Sequence, residues 1–154
     1  MKARTIVLTL ALCFISIGVC FAQKPFMGTW KLNEAKSKLA PGAAKNNTVV
    51  YEPAGDSVKV TVDGTDAAGN PTHNEWTGKF DGKDYPVTGD PNSDTRSLDW
   101  RSAHKVGIKV KKGKKVTATG TIILSVDGKS RTVILDGTDA QGNKVKSTAV
   151  YDKQ

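Results

Sequence analysis

The sequence predicts an all-β fold, an antiparallel up-and-down β-barrel of about 8–10 strands. Three observations point there. From Gln23 onward apolar residues recur with period two, not 3.6. Turn-forming clusters interrupt the runs at short, even intervals. Only Glu34 to Leu39 offers any helix, and it is too short for more than a turn or two. Sequential strands joined by hairpins avoid open edges best by closing into a barrel, with a two-sheet sandwich as the alternative.

Taken in order, the first strand is expected near 28–34, where Gly28-Thr29-Trp30-Lys31-Leu32 alternates small or polar with apolar residues. The second, near 47–53, carries Val49 and Tyr51 before the turn at Pro53-Ala54-Gly55-Asp56. Val58, Val60 and Val62 alternate with Lys59, Thr61 and Asp63 in a strand at 57–63. At 71–80, Asn74, Trp76 and Phe80 share one face, and His73, Glu75 and Thr77 the other. Short strands follow at 84–88 and 95–101, separated by the turn cluster at 89–94. Val106, Ile108 and Val110 mark 104–111, and Val116, Ala118, Ile122, Leu124 and Val126 share a face of a longer run at 115–126. Val133 and Leu135 place a strand at 131–136, and Val145, Ala149 and Tyr151 close the series at 144–152. Alternation of this kind describes strands with one face buried and one wet.

The first 22 residues are set apart from the fold. Lys2 and Arg4 precede an uncharged apolar stretch that ends at Val19-Cys20-Phe21-Ala22, which reads as a signal peptide cleaved after Ala22. The competing readings are a retained membrane anchor and lipidation at Cys20. The apolar stretch sits at the lower edge of a spanning length, and the bulky Val19 does not suit lipidation. Residues 23–154 then form one domain, periplasmic or secreted. The chain's only cysteines, Cys13 and Cys20, depart with the leader, so the domain has no thiol nucleophile or thiolate metal site.

The net charge of +8 belongs to 23 Lys and Arg set against 15 Asp and Glu. Its densest point is the hairpin at 104–116, where Lys109, Lys111, Lys112, Lys114 and Lys115 crowd the strands and tip. Such a hairpin could contact anionic envelope surfaces, while the plainer reading is an edge kept soluble by lysine. No aromatic row accompanies it on which bases would stack, so nucleic acid is not an expected partner. The core DGTDA-x-GN occurs twice, at 63–70 and 136–143. Its Asp and Asn oxygens could be offered to a hard cation. The spacing lacks a calcium loop's ligand pattern, however, and Asp, Gly and Asn are what a tight turn requires.

The segments GTWKLNEAKSK, VVYEPAGD, EWTGKFDGKDYPVTGDP and STAVYDKQ carry a family resemblance. The opening Gly28-x-Trp30 resembles the signature of calycin barrels, the lipocalins and fatty-acid-binding proteins, where the tryptophan packs across the closed end. The domain as a whole resembles a group of uncharacterised exported bacterial lipocalin-like proteins. That resemblance implies a barrel that takes a small ligand. In fatty-acid-binding proteins a carboxylate-binding arginine stands two residues before the last-strand tyrosine. Here the tyrosine matches Tyr151 and the arginine position holds Ala149. Those proteins also insert two helices after the first strand, for which Asn33 to Asn47 is too short.

No nucleophile elbow, zinc-protease helix, phosphate loop or dinucleotide fingerprint occurs. His73 and Glu75 share a strand face and could seat a metal or a general base, yet a solvated polar face needs the same residues. His104 is placed at a turn. The expectation is therefore a monomeric, non-catalytic binding protein without cofactor or metal, taking a small hydrophobic or amphipathic ligand. Trp76, Phe80, Trp100 and Tyr151 are the pocket candidates, and Gly28 and Trp30 the barrel-closing pair. The alternative is an envelope interaction module with a filled core that uses the lysine hairpin.

Overall fold

A computed structural model describes residues 24–138 and 142–154. The expected signal segment lies outside the described residues, as does 139–141 in the second DGTDA-x-GN copy. Ten strands form one closed barrel: β1 (Gly28–Leu32), β2 (Lys45–Ala54), β3 (Ser57–Thr65), β4 (Pro71–Gly78), β5 (Tyr85–Thr88), β6 (Thr95–Ser102), β7 (Lys105–Lys112), β8 (Lys115–Leu124), β9 (Ser130–Thr138) and β10 (Lys144–Lys153). Each strand pairs antiparallel with its neighbours in sequence. β1 seals the ring against β10, with Trp30 opposite Lys153 and Leu32 opposite Tyr151. Closure leaves no unpaired edge strand.

The alternation read from the sequence is the alternation of burial. Val58, Val60 and Val62 are buried, and Lys59, Thr61 and Asp63 between them are not. Three details differ from expectation. β8 stops at Leu124, because the Ser125 N–H donates to Ser130 O at 2.9 Å and the Gly128 N–H to Ser125 O at 3.0 Å, closing a tight turn. Val126 therefore sits on the turn, 92% exposed, although its phase matches the strand. Second, Asp63-Gly64-Thr65 is strand, paired with Pro71, Thr72 and His73, so the loop is confined to Asp66 through Asn70. There Asp66 Oδ1 accepts the N–H groups of Ala68 at 2.9 Å and Asn70 at 2.8 Å, and Oδ2 accepts Asn70 Nδ2 at 3.0 Å. Those bonds, the Asn70 side chain's first, hold the Asp66 carboxyl below its usual range. The carboxylate is engaged by its own turn. Third, β4 ends at Gly78, so Phe80 sits at a bend beyond it; the 34–39 segment forms a single 3₁₀ turn, Glu34–Lys36, within the turn or two expected, and then extends to bridge Lys38 with Thr148.

A plug of aromatic rings fills one end of the barrel. A 3₁₀ turn, Lys24–Phe26, carries Phe26 into the core, where its ring lies 5.2 Å from Trp100 and 6.4 Å from Phe80. Phe80 and Trp100 are 5.1 Å apart, and Trp76 joins from 6.3 Å. Trp30 is fully buried, and its indole N–H donates to Phe26 O at 2.9 Å. Gly28 reaches β1 with φ +105°, a conformation other residues rarely adopt, which explains the glycine two positions before that tryptophan.

Candidate ligand-binding site

Beyond the plug, the inward faces of β2 to β4 and β6 to β10 line a cavity of about 90 Å³. A water molecule claims about 30 Å³, so this volume suits a small polar group with its first carbons. Val49, Val60, Leu98, Ile122 and Val133 make the walls apolar. Two arginines, Arg96 and Arg131, line it with Tyr51 and Tyr151, and no Asp or Glu does among the described residues.

Arg131 is 2% exposed. It occupies the inward phase of β9, two residues before Val133, and stands directly opposite Tyr151 across the β9–β10 ladder. Its guanidinium carbon lies 4.7 Å from the Tyr151 ring centroid, 4.8 Å from Tyr51 and 5.0 Å from Trp30. The rings stabilise the buried cation through their faces, each by up to about 2 kcal/mol when water is excluded. They accept none of its N–H groups, and Nε and Nη1 are buried without a hydrogen-bond partner among the described residues. Trp30 also meets Lys153, whose Nζ sits 5.1 Å from the ring centroid and donates to Pro25 O at 3.0 Å.

Arg96 is similarly placed on β6, in phase with Leu98 and Trp100. Its Nη2 reaches Asn74 Oδ1 at 3.5 Å and Asp90 Oδ2 at 3.9 Å, while Nε is buried without a partner. Asp90, which also accepts Ser93 Oγ at 2.5 Å and the Asn92 N–H at 2.8 Å, supplies a counter-charge to Arg96 from beyond hydrogen-bond reach. Burial pushes the Arg96 guanidinium below the ordinary arginine range, against the opposing influence of Tyr51 and Asp90. An arginine in this position remains cationic.

Burial also pushes the Tyr151 hydroxyl up to about 12, against the pull of the Arg131 charge and with Tyr51 adding to the rise. A folded-state value above the unfolded one, near 10, means that stability from the neutral phenol is complete below pH 10 and is lost as pH climbs to 12. The two-unit difference corresponds to about 2–3 kcal/mol. Denaturation midpoints measured from pH 9 to 12 are expected to fall steeply, and Tyr151→Phe to flatten that fall. An unchanged pH slope in the variant would contradict the assignment.

Of the four pocket candidates, Trp76 and Tyr151 line the cavity. Phe80 and Trp100 lie in the aromatic plug. The indole N–H of Trp76 donates to Arg96 O at 2.9 Å, fixing the ring beside the cavity. Arg96 and Arg131 are not among the residues expected from the sequence. The available signal was a charged residue in phase with an apolar face.

The remaining candidates lie on the outside. His73 Nδ1 is 2.6 Å from Asp63 Oδ1 and its Nε2 is 3.8 Å from Glu75 Oε1, with Lys59 Nζ 2.7 Å from the same Glu75 oxygen. These are solvent-accessible pairs on the outer face, cross-strand for Asp63–His73 and Lys59–Glu75 and within β4 for His73–Glu75, of small energetic weight. His104 is exposed at the β6–β7 turn. In the lysine hairpin, Lys111 pairs with Asp84, and Lys112 with Asp94 at 2.7 Å. Asp94 also accepts the Gly113 N–H at 2.7 Å, so it ties down the hairpin tip. Lys109, Lys114 and Lys115 are exposed and form no ion pair among the described residues. A larger groove, about 390 Å³ and open to solvent, lies where β8, β9 and β10 approach the mouth, lined by Val116, Ala118, Gly137, Lys144 and Val145. Register places it next to the cavity, since Ala118 pairs with cavity-lining Val110 and Gly137 follows cavity-lining Leu135 by two. The groove is the larger space, but the buried cations belong to the inner cavity.

No family model and no curated protein matches the chain. Solved structures similar to it include EF1p2_mFAP2b bound to DFHBI, 11% identical over 86% of this chain and 97% of that one, with a TM-score of 0.49. Another is a de novo designed fluorescence-activating beta barrel, 14% identical over the same shares of the two chains, with a TM-score of 0.45.

Proposed function

We propose that this chain is an exported, non-catalytic binding protein for a small amphipathic molecule with an anionic, carboxylate-like end. The anion sits against Arg131 and Arg96 inside the barrel, and the apolar part extends along the valine- and leucine-lined wall towards the mouth. The observation that carries this reading is the pair of inward guanidinium groups, Arg131 buried and Arg96 half-buried, each with an unpartnered donor and facing a cavity with no carboxylate in its lining among the described residues. Burying a cationic donor without an acceptor costs several kcal/mol, a cost that a charge-assisted bond from a ligand offsets. The cavity's volume restricts what enters fully to the polar end and its first carbons. Export after cleavage at Ala22, to the periplasm or beyond, is the setting suggested by the leader-like start.

Native mass spectrometry of the protein, gently isolated from its own source, tests this reading. A discrete added mass that organic solvent removes, and that fragments as a monoanionic amphiphile, is the expected result. A bare chain mass that persists after incubation with lipid and metabolite extracts would overturn the carrier reading.

A further inference from the structure

The mouth of the barrel carries a second feature, independent of what the interior holds. At the β7–β8 tip, Lys114 and Lys115 are exposed next to Val116, which is 43% exposed and one of only two large hydrophobic residues so displayed among the described residues. Val116 and Val145 line the open groove, and Lys144 and Lys146 stand on its β10 side. Of the lysines around this mouth, Lys112 is answered by Asp94, and Lys146 by Asp136 at 3.4 Å. Lys114 and Lys115 have no acidic partner among the described residues. The tip is also held in place, because Asp94 binds both the Lys112 ammonium and the Gly113 N–H.

We propose that this mouth docks on a lipid bilayer carrying anionic headgroups, with Lys114 and Lys115 on the headgroups and Val116 at the headgroup–acyl boundary. Positive charge around an exposed aliphatic side chain fits a bilayer, where headgroup charge overlies hydrocarbon. A nucleic acid or polysaccharide would leave Val116 without a partner, and the tip residues 111–116 include no aromatic ring on which a base or sugar would stack. Asp84 and Asp94 have drawn Lys111 and Lys112 out of the expected lysine patch, so the docking charge narrows to the tip.

The test is co-sedimentation of the purified protein with vesicles of phosphatidylglycerol in phosphatidylcholine, and with phosphatidylcholine alone. Binding is expected only to the anionic vesicles, and it should vanish at about 0.5 M salt, where charges are screened within a few ångströms. Each lysine near such a surface is worth roughly fivefold in partitioning, so Lys114→Glu with Lys115→Glu should lower binding roughly 25-fold or more. The control is Lys105→Glu with Lys129→Glu, the same change in net charge at the opposite end of the barrel, which should leave most of the binding. Arg131→Met should leave it unchanged. Four results would overturn the proposal: no binding, equal binding to neutral vesicles, equal loss in the control pair, or capture by soluble dextran sulfate but not by vesicles.

Discussion

Arg131→Met is expected to yield a more stable protein. In the native chain the guanidinium is 2% exposed, and two of its nitrogens have no acceptor. Taking such a cation out of water costs several kcal/mol, and each unsatisfied buried donor adds about 1–3 kcal/mol. Against this stand three ring contacts at 4.7 to 5.0 Å. Methionine has similar length, no charge, and a sulfur that packs well on aromatic rings. Exchanges of buried ion pairs for apolar side chains are often neutral or stabilising by about 1–4 kcal/mol, and an unpaired cation has at least as much to gain, so a raised Tm in a thermal melt is expected. An arginine kept only for the fold would behave oppositely, and its replacement would lower the Tm. Higher stability together with lost binding would mark Arg131 as a residue held for its ligand.

Trp30→Ala acts in the other direction and is expected to cost about 3–5 kcal/mol, a fall in Tm of roughly 10 °C or more. Trp30 is fully buried, bonds to Phe26 O, and packs against both the Arg131 and Lys153 cations. Its loss opens a void between the plug and the cavity, frees the 3₁₀ turn that seats Phe26, and exposes Arg131 to solvent. Trp30→Phe keeps most of the packing but loses the indole bond, so its melt should fall between native and alanine. An alanine variant that melts within a degree of the native chain would contradict the closing role of Trp30.

Most of the barrel was legible because strand formation here is local. Val58, Val60 and Val62 announce one buried face, and Asp, Gly, Asn and Pro mark the turns. Val126 shows where that logic stops: it keeps the β8 phase, but the bonds between Ser125, Gly128 and Ser130 end the strand before it. Phe80 and Trp100 show a second limit. Period two states that Trp100 points inward, but not how far along the barrel axis it lies, and Phe80 falls past the end of β4, where that period no longer applies. That depth depends on the register of all ten strands together, and it puts them in the plug while Trp76 and Tyr151 reach the cavity. Arg131 shows a third. The comparison with the last strand ended at Ala149, yet the guanidinium beside Tyr151 comes from the neighbouring strand, through the pairing of Tyr151 with Arg131. Only strand pairing could reveal this, although an arginine in phase with Val133 and Leu135 was visible in the sequence.

The most direct test of an anion-selective interior is calorimetric titration of the purified protein with decanoate and with decanol, repeated on Arg131→Met. The two probes share a chain length and differ in the charge of one end. The native protein is expected to bind decanoate roughly 30-fold or more tightly than decanol, as a buried charge-assisted contact worth about 2 kcal/mol or more requires. Arg131→Met, although more stable, is expected to lose that preference. Equal affinity for the acid and the alcohol, or a preference that survives in the variant, would contradict an anion-selective interior.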